Sequence, residues 1–228
     1  MKVIQYLIEI EGKDTLKFEI KIDQKTLNYV NPYFESEETK AKLPAWTKLS
    51  NSQCSNCPLK EDEFSHCPAA ANLHDIVSQT SGSLSYEASK VYVVTKNRTS
   101  YKKTDLQSGL LSLMGIVLAS SECPHFDFLR PMAYFHLPFS DTEETFSRVG
   151  GFFLLNQYFN GKEVSLEGLK DCYKEIEVVN DALLARIREA SKGDANLNAI
   201  VALNLFAQLL SMDSKQDFSS LKKFFTRE

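Results

Sequence analysis

Residues 3–22 read VIQYLIEIEGKDTLKFEIKI. Ile4, Tyr6, Ile8 and Ile10 fall on one face of the first run. Leu16, Phe18, Ile20 and Ile22 fall on one face of the second, opposite Lys17, Glu19 and Lys21. Alternation of period two sends every apolar group to the same side of a pleated strand. Gly12-Lys13-Asp14 lies between the runs and supplies the turn. The stretch predicts an antiparallel hairpin with one apolar face, and such a face must be covered by a second layer.

The same pattern recurs once. Val91, Val93 and Val94 lie in one short run, Thr99 and Tyr101 in the next, with Asn97-Arg98 near the turn. The two hairpins are expected to share one small sheet. Between them come a polar segment with Asn31-Pro32, the charged run 35–42, Trp46, and a short helix over 66–79 carrying Ala69, Ala70, Leu73, Ile76 and Val77. The Ser/Gly-rich loop 78–85 ends that helix. From Thr104 the pattern is helical. Thr104 with Gln107 is read as a capping box for a helix over Leu106–Ala119, apolar on nearly all sides and so central. Ser140 with Glu143 is expected to start a helix running to about Phe159. Ser165 starts a long amphipathic one through Ile187, Asp194 caps a fourth, and a short tail helix covers Phe218–Phe225. Short loops predict antiparallel neighbours.

Three of the five cysteines fall in QCSNCPLKEDEFSHCP, residues 53–68. Cys54 and Cys57 form a Cys-x2-Cys pair, whose spacing lets both sulfurs face one ion from a tight turn. Cys67 follows after a polar, acidic loop that buries too little to hold itself, which weakens a reading as plain buried thiols. Cys123, in SSECPHF after the central helix, is the best fourth ligand. Cys57, Cys67 and Cys123 each precede a proline. Proline suits the first position of a helix, so Cys67 can cap one, where the dipole and free amides favour a thiolate. Four thiolates suit tetrahedral zinc, the first reading, and equally an iron–sulfur cluster. His66 or His125 in place of one sulfur is the variant reading. His74 is expected at the surface, His136 in the core with a backbone partner, and Cys172 in the core of the long helix.

The fold class is therefore α+β. Two N-terminal β-hairpins form a small antiparallel sheet, a metal-bound cysteine segment follows, and an antiparallel helical bundle closes the chain. Residues 1–104 are the hairpin region and 105–228 the bundle, integrated in one domain, as 228 residues allow.

The chain is 43% hydrophobic and 25% charged, with a net charge of −4. An acidic chain without a basic stripe points away from nucleic acid and anionic lipid. The cluster Lys96 to Lys103 reads as the solvated face of a hairpin. Gln5 and Glu9 break the N-terminal apolar run, so no signal core is expected, and the run Leu110–Ala119 is far short of a bilayer span. The expected location is the cytoplasm, with no membrane partner, where clustered cysteines serve as ligands before disulfides.

LPAWTKLSNSQCSNCPL, HCPAAANL and SSECPHFDFLRPMAYFHLPFSDTEET together resemble an uncharacterised bacterial protein family. The resemblance runs along most of the chain. Its most specific parts are Cys-x2-Cys-Pro-Leu, Cys-Pro-Ala and Pro-Met-Ala-x-Phe-His-Leu-Pro-Phe. It implies no activity, cofactor or partner.

Templates for catalysis fail. There is no His-x-Glu with Pro-Cys-x2-Cys, no His-Glu-x2-His, no phosphate loop and no Gly-x-Ser-x-Gly. FDFLRPMAYFHLPF reads as core filling, with Arg130 paired to Glu143 or Glu144; a pocket lining is the alternative. Gly150-Gly151 is expected to let helices pack closely. The function expected is a binding or scaffold module for a protein partner, built around a structural zinc site. A redox or sensor protein is the second reading. A metalloenzyme with an open site using His125 or His136 is the third.

Overall fold

The computed structural model describes residues 1–212, 218 and 221–226. Four strands, β1 Lys2–Ile10, β2 Leu16–Ile22, β3 Ala88–Thr95 and β4 Thr99–Asp105, form one antiparallel sheet in the order β2-β1-β3-β4. Each hairpin is the one the alternation predicts, and the β1–β3 pairing joins them. Tyr6 stands opposite Phe18 on one side and Val93 on the other. This register keeps Ile4, Tyr6, Ile8, Phe18, Ile20, Val91 and Val93 on a single buried face.

The helices are α1 Glu37–Lys40, α2 Pro68–Thr80, α3 Leu106–Ala119, α4 Arg130–Tyr134, α5 Thr142–Phe159, α6 Leu169–Ala190, α7 Ala195–Ser211 and α8 Lys222–Phe225. The architecture is α+β. The apolar helix α3 lies against the sheet: Gly109 approaches Val91 so closely that a Cβ would sit 2.9 Å from its methyl group. Leu110, Leu113, Met114 and Val117 are fully buried, so α3 is the central helix. One core runs from the strands through α2 and α3 to α6 and α7.

Helix α3 spans Leu106–Ala119 as the sequence predicts, but helix caps differ from the sequence reading. Asp105, not Thr104, caps α3, accepting the N–H of Ser108. Asp141 with Glu144 makes the capping box of α5, one residue on from Ser140 and Glu143. In both places an ionised carboxylate beside a hydroxyl is the stronger acceptor for helix N–H groups. Helix α6 begins at Leu169, because Gly168 is left-handed (φ +85°) and breaks the path from Ser165. Asp194 precedes α7, but its carboxylate receives the N–H and hydroxyl of Ser85 instead of capping. Of the expected tail helix, Lys222–Phe225 is present, while Ser219 and Ser220 lie outside the described residues.

Other side chains depart from expectation. Arg130 pairs with Asp127 at 2.6 Å, one helical turn away, and not with Glu143 or Glu144. Cys172 is half-buried on the flank of α6 and not in the core. His74 is half-buried, edge-on to Tyr33 with ring centroids 5.2 Å apart. Gly150 does permit a close approach, to Phe218. Among the described residues no single helix is long and apolar enough to cross a membrane; α3 and the turn after it form an apolar pair bent by 110°.

Candidate metal centre

The cysteine segment is a loop tied at its ends. Lys48 and His66 form an isolated antiparallel bridge, the N–H of Leu49 donates to Ser65 O (3.1 Å), and that of Cys67 to Thr47 O (2.9 Å). Between these ties the chain has no helix or strand. Cys54 and Cys57 flank a tight turn, closed by Cys57 N–H to Cys54 O at 3.0 Å. The sequence Glu61-Asp62-Glu63 at the tip is fully solvated.

Helix α6 holds this loop from below along one face. Asn56 Nδ2 donates to the carboxylate of Glu175 (2.6 Å) and to its carbonyl (3.0 Å), and Asn51 Nδ2 to Glu189 (3.0 Å). Arg186, only 2% exposed, donates to the carbonyls of Trp46 (2.9 Å), Lys48 (2.5 Å) and Leu49 (3.0 Å). Spacings of eleven and fourteen residues are close to three and four helical turns, so the three side chains share a face. Arg186 makes no ion pair with a carboxylate among the described residues.

Cys67 is the N-cap of α2 with Pro68 at the first helical position, as the Cys-Pro pattern predicts. Its thiol closes no cap hydrogen bond, yet the amides of Ala69 and Ala70 face it. Cys123 stands in the same relation to Pro124 and a short 3-10 turn, Pro124–Leu129, with the His125 amide facing its sulfur. No helix follows Cys57-Pro58.

The four thiols lie within one another's electrostatic reach. Burial pushes Cys123 up to about 12, and like charges at Cys67, Cys54 and Cys57 add to it. Burial also lifts Cys54 to about 12, with Cys57 and Cys67 as the next causes. Burial raises Cys67 too, opposed first by the Arg186 charge. All five cysteines are free of disulfides. Among the described residues no three His, Cys, Asp or Glu side chains stand as a ready ligand shell. The sulfurs feel one another's charge without standing around a centre.

The donor set fits a soft ion or a cluster. It is all sulfur, it is served by backbone N–H groups that stabilise thiolate, and a buried cation adjoins it. The histidines are otherwise engaged. His125 Nε2 donates to Asn56 O at 3.0 Å, and its Nδ1 lies 3.9 Å from Glu175. It thereby ties the Cys123 turn to the Cys54–Cys57 turn as an outer support. His66 Nδ1 is 3.0 Å from the Ser65 hydroxyl. Sequence reading missed Arg186, Asn56 and Glu175. Arg186 did carry a signal: it recurs three residues after Leu183 and seven after Val179, on the apolar face of α6.

His136 lies elsewhere, packed on the sheet. It is buried, and its Nε2 is 2.5 Å from the hydroxyl of Tyr6, which is itself 2.9 Å from Ser112 Oγ. Its carbonyl, not its ring, has the polar backbone contact, accepting from Arg98 at 2.8 Å. Burial first, then the charges of Arg148, Lys2 and Arg98, holds the imidazole down at about 3. The unfolded chain binds a proton near pH 6.5 that the native ring refuses until about pH 3. Stability is therefore whole above pH 6.5 and falls as pH drops from there toward 3, by a few kcal/mol in order of magnitude. His136→Gln keeps an acceptor for Tyr6 and is expected to flatten this limb in urea titrations at pH 7, 5 and 4. An unchanged slope in the variant would assign the acid limb to other groups.

A family model described as a domain of unknown function (DUF6901) matches residues 4–226. The chain belongs to that family, in agreement with the resemblance to an uncharacterised one. No curated protein matches the chain, and no solved structure does.

Proposed function

We propose that this member of the DUF6901 family binds one metal centre through Cys54, Cys57, Cys67 and Cys123, zinc in the first instance. In this reading it serves as a structural site in a binding or scaffold module for a protein partner. What supports this reading is that Cys123, on a remote turn, feels the charges of Cys54 and Cys57 in the loop and of Cys67 at a helix start. Without metal the thiols keep their protons, because burial and each neighbouring thiolate disfavour ionisation. A divalent ion replaces those protons and turns mutual repulsion into shared coordination. Four thiolates around Zn²⁺ leave a charge of about −2, beside which the Arg186 guanidinium gains a counter-charge. The centre would pin the polar loop to the start of α2 and to the turn after α3, where no apolar core can.

Elemental analysis with an absorption spectrum, on anaerobically purified protein, tests this. One equivalent of zinc in a colourless sample is the expected result. Iron with sulfide and visible absorption would replace zinc by a cluster on the same four sulfurs. Protein that stays free of metal even after incubation with zinc under reducing conditions would overturn the site.

A further inference from the structure

A second feature lies away from the thiols. Helices α3, α5, α6 and α7, the segment containing α4 and strand β4 line a half-open cavity of about 290 Å³. Its wall is largely apolar, with Met132, Phe139 and Phe206 among its members. Lys102 and Arg148 line it, and no carboxylate does among the described residues. His136, also on the wall, is kept neutral by its burial. Arg148 spends one nitrogen on the carbonyl of Phe135 at 2.7 Å. Glu144, one turn back, is off the wall; its carboxylate takes the N–H of Asp141 in the capping box at 3.0 Å, and its charge still reaches Arg148.

On α6, Asn180 also faces the cavity. It is 2% exposed, and its Oδ1 is buried with no hydrogen-bond partner. A buried amide oxygen left unpaired costs about 1–3 kcal/mol, and native interiors rarely keep one without a reason. An apolar space bounded by cations and by an unpaired acceptor specifies its occupant's chemistry. The volume equals roughly ten water molecules at about 30 Å³ each, room for on the order of ten non-hydrogen atoms, and the open side admits the few more of a ten-carbon chain.

We propose that this cavity binds a small amphiphilic carboxylate: an acyl body of about ten carbons, its carboxylate toward Arg148 and Lys102, with a hydroxyl or N–H donor received by Asn180 Oδ1. None of these residues touches the thiol cluster, so the proposal stands or falls independently of metal content.

The test is calorimetric titration of the full chain with 10-hydroxydecanoate, decanoate and decyltrimethylammonium. The expected order is 10-hydroxydecanoate tightest, then decanoate, with the cationic amphiphile at least tenfold weaker than decanoate. Arg148→Gln is expected to weaken both carboxylates about tenfold. Asn180→Leu is expected to erase the advantage of the hydroxyl and leave decanoate within twofold. Equal binding of the cationic and anionic amphiphiles would overturn the proposal, as would unsaturable binding. If Asn180→Leu does not fold, the wild-type protein still decides: equal affinity for decanoate and 10-hydroxydecanoate removes the role of Asn180. Variants that melt like the wild type and bind all three probes unchanged would place the ligand elsewhere.

Discussion

Replacing Cys123 by serine is expected to lower the melting temperature of the metal-loaded protein by about 10 °C and to abolish stoichiometric metal. Structural zinc sites supply roughly 10–16 kcal/mol of binding free energy. Only part of this stabilises a chain that already has an extended apolar core. A share of about 3–5 kcal/mol is reasonable, and for a protein of this size each kcal/mol shifts the midpoint by about 2–4 °C. The control is Cys172→Ser, on the half-buried flank of α6, which should keep both metal content and midpoint. A strong chelator added to wild-type protein should reproduce the Cys123 variant. If Cys123→Ser retained one metal and melted with the wild type, a centre on these four sulfurs would be excluded.

The second large effect belongs to Arg186. Arg186→Met is expected to destabilise by about 3–5 kcal/mol, read as the shift in urea midpoint at constant slope. Methionine fills the space but brings no donors. The Lys48 carbonyl still has the N–H of Asn51 at 3.2 Å, so the loss falls on the carbonyls of Trp46 and Leu49. Arg186→Lys keeps a charge and returns one or two donors, but its ammonium lacks the planar fork that reaches three carbonyls, and it should recover less than half. Removing the charge also removes the main influence opposing protonation of Cys67, so metal affinity should fall about tenfold in the Met variant and stay near wild type in the Lys variant. Equal affinity in both variants would separate the guanidinium from the thiols and leave it a purely structural clamp.

The hairpins were legible in the sequence because a strand with one wet face has to alternate, and Ile4 to Ile10 and Leu16 to Ile22 each do so on either side of a turn. The central helix was legible because Leu106–Ala119 has no polar face to offer to water. Helix starts were less so: adjacent Ser, Thr and Asp residues all satisfy the same capping chemistry, and only the fold decides between Thr104 and Asp105. The four candidate ligands follow from their residue type and spacing; the fold brings their thiols within electrostatic reach of one another, but among the described residues they do not stand as a ligand shell. What could not be read was the support beneath them. Asn56, Glu175 and Arg186 are common surface types, and their roles depend on α6 passing under a loop 119 or more residues away in sequence. The cavity was legible only as an alternative reading. The run from Phe126 to Phe139 reads as core filling, and part of it is: Phe126 and Ala133 are buried. Phe126, Met132, His136 and Phe139 nevertheless line a space, and that distinction rests on packing between six elements.

The strand order has a consequence for how the chain is made. In the sheet β2-β1-β3-β4, β1 is an inner strand, yet its partner β3 begins only at Ala88. A ribosome adding about 5–20 residues per second delivers the first hairpin many seconds before anything can cover its free edge. During that interval the apolar face of Ile4, Tyr6, Ile8, Phe18 and Ile20 has no layer to bury it. Only when β3 and then α3 have emerged can the edge close and the face dock. The nascent chain is thus obliged to carry an open, sticky ribbon while residues 23–119 are being made.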